Sequence, residues 1–315
     1  MQDRNWLGRS LAGTIAGFVA VSLMCAAAAV AEETAATDDT SAQAAAGEED
    51  SGPNRGRLSI ALSNDFTTAY FFRGIMQERH GFIWEPTLEL SMNLYAGDGA
   101  LSSVDVGFGI WASYHDEKTL NDGNGAESLY EVDYYPSLTL AWSNGLETSL
   151  TYYFYTSPNG AFDTIQQIDL GVAYDDSELL GAFALSPYAT LSFETDKTSF
   201  GTTKRGGYVE FGVEPAVEVS LPYDEAGRYP LTLSLPAAIG MSLYHYYDDG
   251  VDNDAFGFGD IGVHAGIPLA FIPEDFGSWS VRTCVDVLFL SDTLEAANNG
   301  DEVFAIWFSG VEVDY

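Results

Sequence analysis

Trp84-Glu85-Pro86-Thr87-Leu88-Glu89-Leu90-Ser91-Met92-Asn93-Leu94-Tyr95 places an apolar side chain at every even position and, as far as Asn93, a polar one at every odd position. Successive side chains of an extended chain point to opposite faces, so this stretch reads as a β-strand with one greasy and one wet face. The pattern recurs near 57–75, 82–96, 101–115, 128–143, 145–157, 164–175, 180–194, 207–221, 230–247, 256–271, 278–291 and 302–315. That count is even, as an antiparallel barrel needs if both chain ends lie on one side.

The connections alternate as well. Those at 97–100, 144, 176–179, 222–229 and 272–277 are short, whereas 76–81, 116–127, 158–163, 195–206, 248–255 and 292–301 are mostly longer and rich in Gly, Asn and Asp. Asn144-Gly145 between two alternating runs is a strong hairpin signal. Short turns at one end and long loops at the other are the habit of outer-membrane barrels and have no reason to arise in a soluble sandwich. The expected fold is all-β, an antiparallel up-and-down transmembrane β-barrel of about 12 strands.

Ahead of the strands, Arg4 and Arg9 precede a mostly apolar stretch from Leu11 to Val30, and Ala29-Val30-Ala31 supplies small residues for cleavage. Residues 1–31 are expected to be an export signal, cleaved near Ala31. Residues 32–56 are Ala, Thr, Ser, Asp and Glu with hardly a large apolar side chain, the composition of a disordered acidic linker. Residues 57–315 form one barrel domain by their uniform texture, and no unbroken apolar run long enough for a spanning helix follows the signal. Cys25 leaves with the signal and Cys284 is then alone, so neither a disulfide framework nor a cysteine-based metal site is expected.

The alternation assigns two faces. Leu58, Ile60, Leu62, Leu88, Leu90, Met92, Val104, Val106, Ile110, Leu231, Leu233, Leu235, Val281, Val285 and Val287 are expected to meet outer-membrane lipid. Tyr114, Tyr130, Trp142, Tyr152, Tyr244, Trp279 and Trp307 stand near strand ends, where aromatic girdles mark the two interfaces. The last strand closes on Tyr315, and a terminal aromatic of this kind resembles the signal read by barrel-assembly machinery.

On the other face, Arg73, Glu85, Glu89, Asp105, Glu131, Asp133, Asp169, Glu210, Glu214, Glu218, Arg282 and Asp286 are expected to line a lumen. Of 47 acids and 12 Lys and Arg in the chain, 39 and nine fall within 57–315, leaving the barrel with thirty excess negative charges. Phosphate binding needs the reverse sign, so nucleic acid is excluded as a partner. Rings of acids suit a cation-attracting pore. They also suit a plugged interior in which Arg73, Arg282 and water pair with them, since a barrel of this size lies between filled and open ones.

The function expected is a porin-like passive channel for small cationic or neutral solutes. The alternatives are a structural or surface-interaction barrel with a closed lumen, and a lipid-modifying barrel enzyme. His264 with a serine on a neighbouring strand is a pair such an enzyme could use, but no catalytic residue is singled out. The acidic loop Asp248–Asp254 fails the EF-hand register, because Phe256 and Val263 would occupy the fifth and twelfth positions. His80, His115, His245 and His264 lack metal-ligand spacing, so no metal or cofactor is expected. Divalent cations could still bridge the acidic loops at an outer surface.

Asp65 to Tyr70 lead into Phe72-Arg73-Gly74-Ile75-Met76-Gln77, followed by Gly109-Ile110-Trp111-Ala112-Ser113, by Tyr130-Glu131-Val132-Asp133-Tyr134-Tyr135 and by the Tyr-rich segment Tyr152–Tyr155. On these motifs the stretch from Ser63 to Tyr174 resembles the uncharacterised bacterial outer-membrane family called Gcw_chp or TorF-like. The resemblance implies an outer-membrane barrel and brings no established substrate. It draws attention to Arg73-Gly74: an inward Arg in the first strand would anchor an ion-pair cluster with Glu89 or with acids across the lumen, and Gly74 would let the strand bend.

Overall fold

The computed structural model describes residues 57–116, 128–200, 204–222, 228–248, 250 and 254–315. The expected signal and linker lie outside the described residues. The strands are β1 (Leu58–Thr67), β2 (Tyr70–Phe72), β3 (Ile75–Glu78), β4 (Ile83–Ala96), β5 (Leu101–His115), β6 (Ser128–Trp142), β7 (Leu146–Thr156) and β8 (Ile165–Tyr174). They continue with β9 (Tyr188–Asp196), β10 (Gly207–Val213), β11 (Ala216–Pro222), β12 (Arg228–Ser234), β13 (Ala237–Tyr244), β14 (Phe256–Pro268), β15 (Ser278–Leu290) and β16 (Val303–Asp314).

Twelve of these close into an antiparallel barrel in the order β14-β13-β10-β9-β8-β7-β6-β5-β4-β1-β16-β15, with β15 pairing back onto β14. Closure leaves the wall without a free edge. The start of β1 and the end of β16 meet across the seam, where Ile60 and Tyr315 exchange both backbone hydrogen bonds at 2.8 Å. They lie at the same end as the 97–100 and 143–145 turns.

Three segments depart from the sequence reading. The expected first strand, 57–75, is two things: β1 ends at Thr67, and Tyr70–Glu78 folds back on itself as the hairpin β2–β3, which makes its own two-stranded sheet. Tyr70-Phe71-Phe72 is apolar on both parities, so no wall strand with one wet face could hold it. Leu180, expected to start a strand, instead belongs to a short helix, Ser177–Leu180, with a helical turn over Gly181–Phe183. The Asp176 carboxylate fixes this connection by accepting from the backbone N–H groups of Leu185 and Ser186, both at 3.0 Å. Finally, 207–222 and 228–244 form one long hairpin in which each arm breaks at a proline, Pro215 and Pro236. Proline cannot donate to the ladder, so each arm becomes two strands. β11 pairs with β12 alone and extends beyond the closed wall.

Outward positions carry exposed apolar side chains around the barrel, among them Leu62, Leu90, Met92, Phe108, Leu150, Leu170, Leu191, Phe211, Ile239, Ile261, Val285 and Trp307. The inward positions grade along the axis. In β4 the inward Ile83, Glu85 and Thr87 are buried, whereas Glu89, Ser91 and Asn93, nearer the short-turn end, are half-buried. The loop-end half of the lumen is therefore filled, and the short-turn half admits solvent. Tyr130 belongs to that filling: it is fully buried among lumenal aromatics and is no part of an outer girdle.

Candidate functional site: a plugged acidic lumen

The filling is built by β2–β3. Phe72 pairs with Ile75, so Arg73-Gly74 is a two-residue turn, and both residues have positive φ, 48° and 89°. A hairpin turn of that kind matches strand twist and ordinarily takes Asn-Gly. An arginine in the left-handed region costs about 1–2 kcal/mol, so its side chain must return more than that.

It does so by reaching across the barrel. Arg73 is 1% exposed. Its Nη1 donates to Gln167 Oε1 at 2.9 Å and to the Tyr246 hydroxyl at 2.5 Å, and its Nη2 donates to Ser192 Oγ at 2.8 Å. Asp169 Oδ2 lies 3.6 Å from Nη2, and the guanidinium sits 4.1 Å over the Tyr208 ring. Arg73 thus lies inside the barrel at a hairpin tip and not on a wall strand. It does not meet Glu89, which instead accepts from the Tyr135 hydroxyl at 3.0 Å.

The loops strap the turn from behind. Asn298, just past the short helix Asp292–Ala297, donates through Nδ2 to Gly74 O and accepts from Met76 N–H, both at 2.7 Å, while Tyr247 OH donates to Arg73 O at 3.0 Å. A Cβ on Gly74 would lie 2.6 Å from Leu294 Cδ1. On one side Phe71 packs on Phe304; on the other Phe72 packs on Tyr155 and Tyr70 on Trp111. Tyr70 OH donates to Glu131 Oε2, and Tyr130 OH to Gln77 Oε1, each at 2.8 Å. Each phenylalanine buried in this way contributes about 1.5–3 kcal/mol.

The remaining acids sit in distinct settings. Arg282 joins Asp65 and Glu312, with Nη1 3.1 Å from Glu312 Oε2. Glu85 is fully buried and accepts from Ser113 Oγ at 3.3 Å, and that hydroxyl also meets His115 Nε2 at 2.9 Å. Asp133 is fully buried too. Asp105 accepts from Asn93 and Ser103, and Glu210 from Tyr208 and Tyr188. Asp286 is held by His264 and Cys284. Glu214 stands at the break between β10 and β11 and accepts from Ser234 Oγ at 3.3 Å. Glu218 is exposed on the β11 extension, outside the closed ring, because the Pro215 break carries that arm past the wall.

Below the plug, Glu147, Ser149, Thr151, Tyr153, Asp169, Tyr188 and Thr190 line a cavity on the inner face of β7, β8 and β9. Asp169 therefore belongs both to this vestibule and to the Arg73 clasp. The hairpin's inward fold escaped the sequence reading, yet the doubly apolar Tyr70-Phe71-Phe72 was its available signal.

No family model matches the chain, and no curated protein matches it. The likeness to the Gcw_chp family thus rests on its short motifs. Among solved structures, the chain is similar to an outer membrane channel from Pseudomonas putida F1, at 12% identity and a TM-score of 0.47, over 87% of this chain and 100% of that one. It is also similar to the β domain of the Bordetella autotransporter BrkA, at 10% identity, a TM-score of 0.41 and 82% and 98% coverage. The NanC porin gives 9%, 0.37 and 81% and 98%.

Proposed function

We propose that the chain is a bacterial outer-membrane β-barrel that acts as a plugged, cation-preferring channel for small solutes. The observation that carries this reading is the β2–β3 hairpin, folded into an acid-lined lumen and fastened at its tip through Arg73. The exposed apolar belt supports a lipid surround, since soluble monomers seldom show so continuous an apolar surface. The wall acids Glu147 and Asp169 would raise cation concentration in the vestibule. On this reading residues 1–31 export the chain, 32–56 are a spacer, and Tyr315 ends a strand that the assembly machinery recognises.

Planar-bilayer recording tests the proposal. Folded protein should give small, infrequent cation-selective steps, and Arg73→Ala should make them larger or more frequent. Silence from both would favour the second reading, a closed barrel that works through its surface; the complete burial of Arg73 is the observation on that side.

A further inference from the structure

We propose that His264, Cys284 and Asp286 form a binding site for a divalent transition metal of the Zn2+ class on the lumen wall. The β14–β15 register pairs His264 with Cys284 and Gly262 with Asp286. Paired residues share a face, and Asp286 lies two positions from Cys284, so all three side chains project inward together. His264 Nε2 is 2.8 Å from Asp286 Oδ1, and Cys284 Sγ is 2.8 Å from Asp286 Oδ2. One donor atom from each residue falls within 4.8 Å of the others.

The sequence reading ruled out a cysteine-based site because it counted cysteines against each other. The fold supplies the partners: an imidazole twenty residues away along the chain and adjacent across the ladder, and a carboxylate two residues on along the same strand.

The donor set selects the metal. Imidazole nitrogen, thiolate sulfur and carboxylate oxygen suit Zn2+ and its neighbours in the first transition row, whereas Ca2+ and Mg2+ take oxygen ligands. Bond lengths of about 2.0–2.3 Å put tetrahedral donors about 3.3–3.8 Å apart. The present hydrogen-bonded contacts must open by only about half an ångström to one ångström to reach that spacing. On binding, the thiol proton leaves to solvent, the neutral imidazole carries its hydrogen on Nδ1 instead of Nε2, and the ion takes the place of the two shared hydrogens. Thiolate and carboxylate together match the ion's double charge. Arg282, the nearest inward cation on β15, is already neutralised by Asp65 and Glu312.

Space and access agree with this. Gly262 leaves room for the carboxylate: a Cβ there would lie 1.7 Å from Asp286 Oδ1 and 3.0 Å from His264 Nε2. Cys284 and Asp286 are buried, while the His264 side chain is 29% exposed and offers the approach from the lumen. The Phe308 ring, 5.9 Å away at its centroid, meets the imidazole edge-on and limits its rotation. Three protein ligands leave a fourth position for water.

Co2+ added to the folded full-length protein in detergent is the probe. Equimolar uptake is expected, with a thiolate-to-cobalt charge-transfer band that Zn2+ displaces. Cys284→Ser should abolish the band, and His264→Ala should weaken Co2+ binding by about tenfold or more, since even outer-shell partners of a metal are worth that much. Absence of the band from folded wild-type protein would overturn the site, as would unchanged affinity in both His264→Ala and Asp286→Asn. A second measurement needs no variant: Zn2+ should slow maleimide labelling of Cys284, and an unchanged rate would equally overturn the proposal.

Discussion

Asp65 on β1 and Arg282 on β15 are not neighbours in the wall; they meet across the intervening strand β16, directly over Gly310. The register aligns Asp65 with Gly310 and Gly310 with Arg282. Arg282 donates to the carboxylate twice, from Nε at 3.1 Å and from Nη2 at 2.6 Å. A Cβ at Gly310 would stand 2.0 Å from Asp65 Oδ1 and 2.7 Å from the backbone Asn64 O. The pair spans the seam where the first strand joins the last, so it reinforces barrel closure.

Gly310→Ala is therefore expected to lower stability by about 1–3 kcal/mol through overpacking. The shift should appear as a lower transition temperature when heat-modifiability is followed on a gel. Arg282→Ala should cost more, about 3–5 kcal/mol, because it leaves Asp65 and Glu312 facing each other without their cation. Equal transition temperatures for the two variants would refute the bridging role.

Arg73→Lys should not restore what Arg73→Ala loses. The guanidinium serves Gln167, Tyr246 and Ser192 at once while its Cζ sits 4.1 Å over the Tyr208 ring, and an ammonium cannot repeat that fork. Urea titration of the three proteins checks this, with both variants expected well below wild type.

Gly74→Ala probes the turn separately from the clasp. The substitution places a side chain at φ 89° and against Leu294, so the hairpin should seat poorly at a cost of about 1–3 kcal/mol. Protease cleavage within 68–82 should rise while the wall strands stay protected. Uniform sensitivity across the whole chain would show that the plug is not a separable element.

The loop at Asp248 gives a pH dependence. Donation from the Gly250 N–H, then from Lys204, holds the Asp248 carboxyl below its ordinary range, with His245 Nδ1 also 2.9 Å away. A lowered folded-state value means the turn is stabilised above the ordinary carboxylate range. That stabilisation fades as pH falls through the lowered value. The protection of the Gly250 amide, read as its exchange rate against the intrinsic rate at each pH, should fall in acid, and Asp248→Asn should leave it low across the same range.

The wall was legible because period-two alternation survives wherever one face meets the exterior and the other the lumen, as at Trp84–Tyr95. Proline breaks at Pro215 and Pro236 were visible as residues, though their effect on pairing depended on the neighbouring strands. What could not be read was depth. Glu85 and Glu89 share one face and one strand, yet one is fully buried and the other is half-buried. That difference is made by the hairpin, whose Tyr70 packs on Trp111 and donates to Glu131 beside the Ser113 that bonds Glu85, and which arrives from another segment. Cys284 and Asp286 share one face of β15 by their spacing, but His264 joins them only through the β14–β15 register.

The clasp at Arg73 also imposes a sequence of events in time. Its partners Gln167, Ser192 and Tyr246 lie 94, 119 and 173 residues further along the chain. The hairpin can close locally and early, but its tip has nothing to hold until β8, β9 and the loop after β13 are in place. Contacts so distant in sequence form late and slowly. Insertion of the hairpin is thus the step that turns an assembled cylinder into a plugged one, and until then the loop-end half of the lumen lacks its filling.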